Sequence, residues 1–449
     1  MCLIQRSLVL LLAISPLLLP LPGHTQSIDF VDLYRQAEQF HESVGEAAAR
    51  ASQLTEERRK VLAQLLPTLS VDGRYNRRQD EVINGGFTLR PKTSWDTTVR
   101  LNQALYTGGR ASTRYKMATI AHESGQLGEV VAREQLIFTL AEAFFSELKA
   151  QENLTAVAER HEGMKRHLTA ARARVRLGAD VRASALRLEA EVAQLAAQRL
   201  AAENELQSAR ESLAVLSGLP PEMELGTPPD LSTIATVANS ENTALAARTD
   251  LGILAGETAA AALGIRFTTG TFLPFISAEA RYEKSGEKSS AVSFLVDADK
   301  VVTLSATWDL YTGGENAAER RRTRAAYREK KLQLERTERE VRVAVQQAQR
   351  RVDVAGRIVE SLTDRVNYAT ENHRIVTETY KAGAATYLDV IDASNALGDA
   401  RSDLANARFD HSLALLGLAG ATGQLMTIIG EPAPDLSAIH NWLARYGKE

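Results

Sequence analysis

The sequence predicts a mainly α-helical fold with a smaller β portion, in which one structural unit occurs twice. The pattern Leu-Tyr-Thr-Gly-Gly appears at 105–109 and again at 310–314, so that 205 residues separate the two copies (310 − 105). A Leu-Pro pair and a run of alternating polar and apolar residues precede each copy, and a long helical pattern follows it. Self-similarity at a fixed spacing indicates a tandem duplication of a unit of about two hundred residues.

The N-terminal residues 1–26 are typical of a signal peptide. The apolar run at 8–19 follows Arg6 and is too short and too close to the N-terminus for a membrane-spanning helix. Cys2 is the only cysteine and precedes this run, which excludes disulfides and cysteine zinc sites in the processed chain. The 53 Lys and Arg, less Arg6, leave 52 basic against 56 acidic residues. No nucleic-acid partner is expected, and the basic cluster at 320–324 fits a solvated helix face.

The duplication divides the chain into repeats that each run from a helix through a β-hairpin to long helices. Each opening helix ends at a Leu-Pro pair, Leu66-Pro67 or Leu273-Pro274, because proline cannot continue a helix. The signal peptide is predicted at 1–26. The first repeat and its connector cover 27–230, with the hairpin at about 68–106 and long helices at 110–217, and the second repeat covers 231–424, with the hairpin at about 275–311 and long helices at 315–420. An irregular segment at 425–449 is expected around the equator of the helical part.

Both predicted hairpins contain strands with one apolar face and one strongly polar face. Val99 and Leu304 belong to the apolar faces, and their neighbours Thr98 and Thr303 belong to the polar faces. This period of two predicts strand pairs that either cover a soluble core or stand in a membrane barrel.

Two features of these strands favour the barrel. Their length of about ten residues suits a transmembrane strand, and aromatic residues lie near the strand ends. These aromatic residues are Trp95, Tyr106, Phe275, Trp308 and Tyr311. Four strands cannot close a barrel, so several chains would have to share one.

The segments after each Gly-Gly pair predict long coiled-coil helices. From Val341 to Ala369 the apolar positions alternate by four and three residues without a break. Sustained spacing of this kind predicts tightly packed coiled coils. About 40 residues in one helix span on the order of 60 Å, which is farther than a bilayer. These charged helices would therefore extend from a membrane barrel into water.

Taken together, these residues resemble the TolC-like outer-membrane efflux proteins over nearly the whole processed chain. The resemblance rests on the two Leu-Pro strand starts, the two Leu-Tyr-Thr-Gly-Gly strand ends, and the turn motif at 380–383 followed by Asp-Val-Ile-Asp-Ala at 389–393. The chain has Arg-Thr-Asp-Leu at 248–251, where the family usually has Arg-Pro-Asp-Leu, and the turn motif of the first repeat lacks the aromatic residue and the acid. The turn-motif residues are Gly178, Tyr380 and Gly383.

The resemblance implies a homotrimer in which each chain contributes four strands to a twelve-stranded outer-membrane β-barrel. The long antiparallel helices would form an α-barrel across the periplasm. It further implies a passive exit duct of a tripartite efflux or type I secretion system, with a periplasmic adaptor protein and an inner-membrane transporter as partners. The expected location is the bacterial outer membrane, in contact with its lipid and extending into the periplasm. The alternative is a secreted trimeric coiled-coil scaffold or adhesin without transport activity.

No catalytic, cofactor or metal site is predicted, since the histidines are scattered and no His-Glu-x-x-His pattern occurs. The resemblance places helical hairpin tips at 148–154 and 353–358, although the heptad pattern passes through the second without a break. The adaptor-contact candidates at these tips are Leu148, Lys149, Gln151, Asn153 and Gly356. A periplasmic gate could be braced by paired charges near the second tip, although an ordinary solvated helix face fits them equally well. The gate candidates are Asp353, Arg357, Glu360, Asp364 and Arg365.

Overall fold

The structure, a computed structural model, describes residues 27–85, 87–178, 181–232, 234, 240–288 and 295–447. The predicted signal peptide lies outside these residues. Helices dominate the described chain and a smaller part is β-structure, which confirms the predicted fold class. A four-stranded sheet stands at one end, and long helices continue from it.

The elements are numbered in chain order. The helices are α1 Phe30–Phe40, α2 Glu42–Ala63, α3 Arg110–Arg176, α4 Arg182–Ser217, α5 Ser240–Ala247, α6 Thr249–Thr269, α7 Glu315–Lys381, α8 Tyr387–Thr422 and α9 Ser437–Tyr446. Turns of 3-10 helix occur at Gly270–Phe272 and Leu425–Ile429. The strands are β1 Thr68–Arg77, β2 Val82–Asn84, β3 Phe87–Arg90, β4 Thr93–Tyr106, β5 Phe275–Lys288 and β6 Leu295–Thr307.

The larger sheet has the order β1-β4-β5-β6, and all of its neighbouring strands are antiparallel. Its register places Val71 opposite Val99, and Val99 opposite Tyr282. Opposed residues of antiparallel strands share a face, so the predicted apolar positions lie on one face of the sheet. The other face is polar, and there Arg100 pairs with Asp72 at 2.8 Å. Within the described residues, β1 and β6 each pair on one side only.

The helices α3 and α7 are longer than the 40 residues expected from the sequence. Each has 67 residues and therefore extends about 100 Å at 1.5 Å per residue. Each folds back onto a helix of 36 residues, α3 onto α4 and α7 onto α8. The turns between them contain Gly178 and Gly383. The predicted tips at 148–154 and 353–358 are wrong, because both segments lie inside uninterrupted helices, as the unbroken heptad pattern indicated.

The main hydrophobic core lies where α1 and the turn at Leu425–Ile429 pack against the middle of the long helices. Phe30 of α1 meets Phe144 of α3 edge-on, with ring centroids 5.7 Å apart. The segment 425–449 was predicted to be irregular, but it contains a 3-10 turn and α9. The reason is burial, since its apolar residues such as Ile428 and Ile439 pack against helices.

Because the unit is duplicated, equivalent glycines of the two repeats can be compared at the place where a strand is followed by a helix. Gly108 and Gly313 hold equivalent positions, and both have a left-handed backbone with φ of 64°. A Cβ at Gly108 would lie 2.4 Å from the carbonyl oxygen of Gly270, whereas a Cβ at Gly313 would meet no other described residue within 4 Å. Both alanine substitutions incur the left-handed cost of roughly 1–2 kcal/mol. Only Gly108→Ala adds overpacking, which costs roughly 1–3 kcal/mol more.

Gly108→Ala should therefore lower the thermal unfolding midpoint further than Gly313→Ala does. Far-ultraviolet circular dichroism of the two purified variants measures the difference. Equal midpoints would mean that the close approach of residues 108 and 270 is not rigid.

Candidate functional site

The ends of the two helical hairpins meet through α3 and α8, and Tyr387 lies at the centre of this contact. Tyr387 is the first residue of α8, where Thr386 and Asp389 form a capping box that starts the helix. Its hydroxyl lies 3.8 Å from Sδ of Met164 in α3. Its ring meets that of Tyr380 edge-on, with centroids 5.5 Å apart. We name this group the tip cluster, and its buried members are Met164, Leu168, Ala171, Leu188, Leu195, Tyr387 and Ile391.

Next to the tip cluster, Arg160 of α3 joins three helices. Its guanidinium donates a hydrogen bond to Oδ1 of Asn395 in α8. It also lies 3.5 Å from a carboxylate oxygen of Glu191 in α4 and 3.6 Å from one of Asp399 in α8. Only 18% of the Arg160 side chain is exposed, and Gly398 leaves room for it, since a Cβ there would lie 3.2 Å from Arg160. This one side chain ties the first hairpin to the second.

A groove of about 980 Å³ runs beside this contact, between α3 on one side and α7 and α8 on the other. We name it the hairpin groove. His167 of α3 and His373 of α7 line it. The charged residues that line the groove are Glu159, Arg160, Glu162, Arg166, Arg374, Glu378 and Arg401.

Both histidines of the hairpin groove resist protonation. Burial lowers the pKa of His167, and the nearby His373 and Arg166 lower it further. Burial also lowers the pKa of His373, with an additional contribution from Arg401 of α8. Both imidazoles are therefore neutral near pH 7. Protonation would add positive charge to a groove whose lining already holds four arginines against three glutamates.

The gate candidates predicted on α7 lie away from this contact. Arg365 is the nearest of them to the turn, 16 residues before α7 ends at Lys381 (381 − 365), or roughly 24 Å at 1.5 Å per residue. Arg365 pairs with Asp403 of α8 and not with another candidate. Among the described residues of one chain, no ion pair joins any two of the five. All five are exposed, namely Asp353, Arg357, Glu360, Asp364 and Arg365.

The adaptor-contact candidates also lie within the long helices and not at a turn. Leu148 packs against the main hydrophobic core, and the Asn153 side-chain amide donates to Glu205 of α4 at 3.5 Å. Gly356 faces His411 of α8. The five adaptor-contact candidates that lie inside α3 or α7 are Leu148, Lys149, Gln151, Asn153 and Gly356.

The turn-motif residues do stand at the hairpin ends. Gly178 and Gly383 have φ of 70° and 81°, a left-handed conformation that favours glycine. Sequence reasoning missed the residues that join the two hairpins. The Thr-x-x-Asp pattern at 386–389 could have located the start of α8. Nothing in the local sequence marks Arg160, because its partner Asn395 is 235 residues away in the chain.

Comparison with known sequences gives a family. A sequence model of outer membrane efflux proteins matches residues 33–219 and 241–424. Outer membrane protein TolC of Vibrio cholerae is 23% identical over 417 residues, which cover 88% of this chain and 91% of that protein. Outer membrane efflux protein BepC of Brucella suis is 26% identical over 365 residues, which cover 79% of this chain and 77% of that protein.

Solved structures share the fold. Outer membrane protein VceC of Vibrio cholerae has a TM-score of 0.75 at 19% identity, over 88% of this chain and 96% of that chain. The open state of the MtrE outer membrane channel of Neisseria gonorrhoeae has a TM-score of 0.74 at 19% identity, over 88% of this chain and 89% of that chain. The family confirms an efflux channel in the bacterial outer membrane that extends into the periplasm. With matches over most of its length, the chain belongs to the outer membrane efflux protein family.

Proposed function

We propose that the chain is the passive exit duct of a tripartite efflux or type I secretion system. Three copies form a trimer, with four strands per copy in a closed barrel and two coiled-coil hairpins per copy in a periplasmic α-barrel. A periplasmic adaptor and an inner-membrane transporter complete the system. The observation that carries this proposal is a sheet with one apolar face and two open edges, which continues into helices about 100 Å long.

The sheet supports both the trimer and its contact with lipid. In hydrocarbon an unpaired backbone N–H or C=O costs several kcal/mol, so the free edges of β1 and β6 need partners. Pairing β6 of one copy with β1 of the next supplies them. On the apolar face Leu69, Val71, Val302 and Leu304 are 66% to 82% exposed in the single chain. A water-soluble scaffold or adhesin would leave this face in water, so that alternative is not favoured.

The helices supply a second surface between copies. Within one chain the hairpin helices contact each other in the order α4-α3-α8-α7, so that α4 and α7 are the outer helices. Leu332, Val343 and Val354 of α7 are exposed and follow at intervals of 11 residues, close to three helical turns. They therefore form one apolar stripe. We place α4 of the neighbouring copy against it, since α4 also exposes the apolar residues Leu200 and Val215.

The tip of the hairpins is the proposed gate. Arg160 and the tip cluster hold the first hairpin to the second, so parting this contact in three copies would widen the end of the duct. We place the adaptor contact at the turns, where Leu177 and Val181 are exposed, and no longer at residues 148–153 or Gly356. The charges from Asp353 to Arg365 would then line the helices farther from the tip.

Substitution on the apolar face of β6 tests the barrel. Leu304 lies opposite Ala278, and arginine near the bilayer midplane costs about 2–4 kcal/mol. Leu304→Arg should therefore reduce the yield of trimer in outer membranes, measured on gels of unheated samples. Thr303→Arg is the control, because Thr303 lies on the polar face opposite Glu279, where an arginine gains an acidic neighbour. Equal losses in both variants would show that the strands do not stand in lipid.

Removal of the Arg160 side chain tests the gate. Hydrogen bonds to charged groups contribute about 1.5–3 kcal/mol, and those of Arg160 reach Asn395 in the second hairpin. Arg160→Ala should make the pore larger or more often open in single-channel recordings across planar bilayers. Arg172→Ala should leave the current unchanged, because Arg172 pairs with Glu189 inside the first hairpin at 2.7 Å. Unaltered current in the Arg160 variant would place the gate elsewhere.

Acidification should open the same gate. The pKa values of His167 and His373 are lowered where the hairpins meet, so the parted state takes up protons first as the pH falls below about 6.5. The contact is then fully stable above that pH and weakens below it. Open probability should be higher at about pH 5.5 than at about pH 7.5. The double variant His167→Gln with His373→Gln should lose this difference, and a full pH response in that variant would refute the assignment.

A further inference from the structure

A second cavity lies where the sheet meets the helices, and cations line it. Its volume is about 800 Å³, and it lies between the start of α3, the end of α6 and the part of α7 nearest the sheet. We name it the collar cavity. Among the described residues no acid lines it, and its basic side chains are Arg266, Arg324, Arg328 and Lys331.

Some cations on α7 have acidic partners, but three of those in the collar cavity do not. Acidic partners are common along this helix, as in the pairs Arg322–Glu319, Lys330–Glu257, Arg336–Glu340, Arg365–Asp403, Arg374–Glu371 and Lys381–Glu378. In the described part of the chain, no ion pair with an acid is formed by Arg324, Arg328 or Lys331. Positive charges grouped in one cavity repel each other, and an anion that enters the cavity relieves this repulsion and is attracted by each of them.

The start of α3 adds to this attraction. Gly108 and Gly109 line the collar cavity, and Gly109 is the N-cap of α3 without a side-chain cap. A helix N-terminus carries a partial positive charge. The hydroxyl-bearing residues Thr113 and Thr269 also line the cavity. The cavity therefore combines guanidinium, ammonium and helix-terminal charge.

The collar cavity opens on the outer surface of the proposed duct. α9 packs on α6, and we place it outside the lumen of the proposed duct. The Tyr327 hydroxyl donates to the carbonyl oxygen of Gly447 at 2.6 Å, just after α9. Arg266 lies over the ring of Tyr446 in α9, 4.8 Å from its centroid. Tyr327 and Arg266 both line the cavity. Arg324 precedes Tyr327 by three residues and Lys331 follows it by four, so both lie on the same face of α7 as Tyr327. Arg328, four residues after Arg324, lies beside them on that face.

The cavity also lies near the level of the periplasmic lipid headgroups. Exposed aromatic residues at the sheet end, Phe272, Trp308 and Tyr311, are typical of a membrane interface. Arg324 is nine residues into α7 (324 − 315), or roughly 14 Å from its start. Side chains on a helix lean toward its N-terminus, which for α7 is the sheet end. Its guanidinium therefore approaches the headgroup layer, which extends roughly 5–8 Å beyond the hydrocarbon.

We propose that the collar cavity binds the phosphate group of an anionic phospholipid from the periplasmic leaflet. Arginine suits this ligand because its planar guanidinium can donate two parallel hydrogen bonds to a phosphate. The acyl chains would lie along the apolar face of the sheet. This inference rests on the proposed placement of the sheet in the membrane and goes beyond the duct function. A bound lipid would join α6 to α7 at the base of the barrel.

Native mass spectrometry of the full-length trimer tests the site, with added phosphatidylglycerol or phosphatidylethanolamine as the probe. The wild-type trimer should bind phosphatidylglycerol at least about fivefold more tightly, since each basic residue near a membrane surface contributes about fivefold. The triple variant Arg324→Gln, Arg328→Gln, Lys331→Gln should lose at least about fivefold in that affinity, because Arg324 lies nearest the headgroups. The control triple variant Arg336→Gln, Arg374→Gln, Lys381→Gln removes the same charge from paired residues of α7 farther from the sheet and should bind as wild type.

Equal phosphatidylglycerol binding by the two triple variants would overturn the proposal. Inorganic phosphate distinguishes the two sources of the ligand, because displacement of lipid by phosphate at similar concentration would make this a general phosphate site and overturn the lipid assignment. The mass of the intact complex reports assembly separately. Absence of a wild-type trimer would count against the duct, whereas a trimer without lipid preference would count against this site alone. If the triple variant does not assemble, the single variant Arg324→Gln should still lose about fivefold.

Discussion

Backbone hydrogen bonding at the two edges of the sheet constrains the whole molecule. A single chain leaves one side of β1 and one side of β6 without a partner among the described residues, and lipid offers none. Neighbouring copies are the solution that we propose. The same constraint limits where the membrane can lie, because the charged helices begin immediately after the strands, and the Gly-Gly turns mark this boundary. The trimer that we propose, the level of the membrane and the direction of the helices thus all depend on the unpaired edges of the sheet.

The duplication produces two similar halves, but the contact at the hairpin ends is not similar in the two. The second hairpin supplies Tyr380, a capping box and Tyr387, whereas the first supplies Arg160 and Met164. Each half therefore contributes different groups, and the contact exists only between unlike halves. Divergence after duplication has made the halves complementary. A gate at this place depends on that difference, since two identical ends would offer each other like charges and like side chains.

The two faces of the strands were predictable because a period of two leaves a regular pattern in the sequence, and the register of the sheet brings those faces together. The coiled coils were predictable for the same reason. Their length was not, since the expected tips were taken from local resemblance at 148–154 and 353–358 although the heptad continued. Periodicity was the better guide because a turn must interrupt it.

The residues of the gate that we propose could not have been found by these means. Arg160 meets a partner in the other repeat, and contacts over such separations are decided by how helices pack and not by local pattern. The C-terminal segment shows the same limit. Its mixed composition resembles a loop, yet burial against other helices makes part of it helical. Sequence periodicity indicates which face of a helix or strand is buried. It does not indicate which other element packs against that face, because this depends on the whole fold.

The equal lengths of the helices restrict how this chain can evolve. Both long helices have 67 residues and both returning helices have 36, so the two hairpins end level with each other. Loss of a single heptad from α3 alone would raise one end by about 10 Å and shift its partners out of reach. We therefore expect insertions and deletions to be tolerated only as coordinated events, in all four helices and in whole heptads. The length of the helical hairpins can therefore change only in both repeats together, although two separate stretches of the gene encode them.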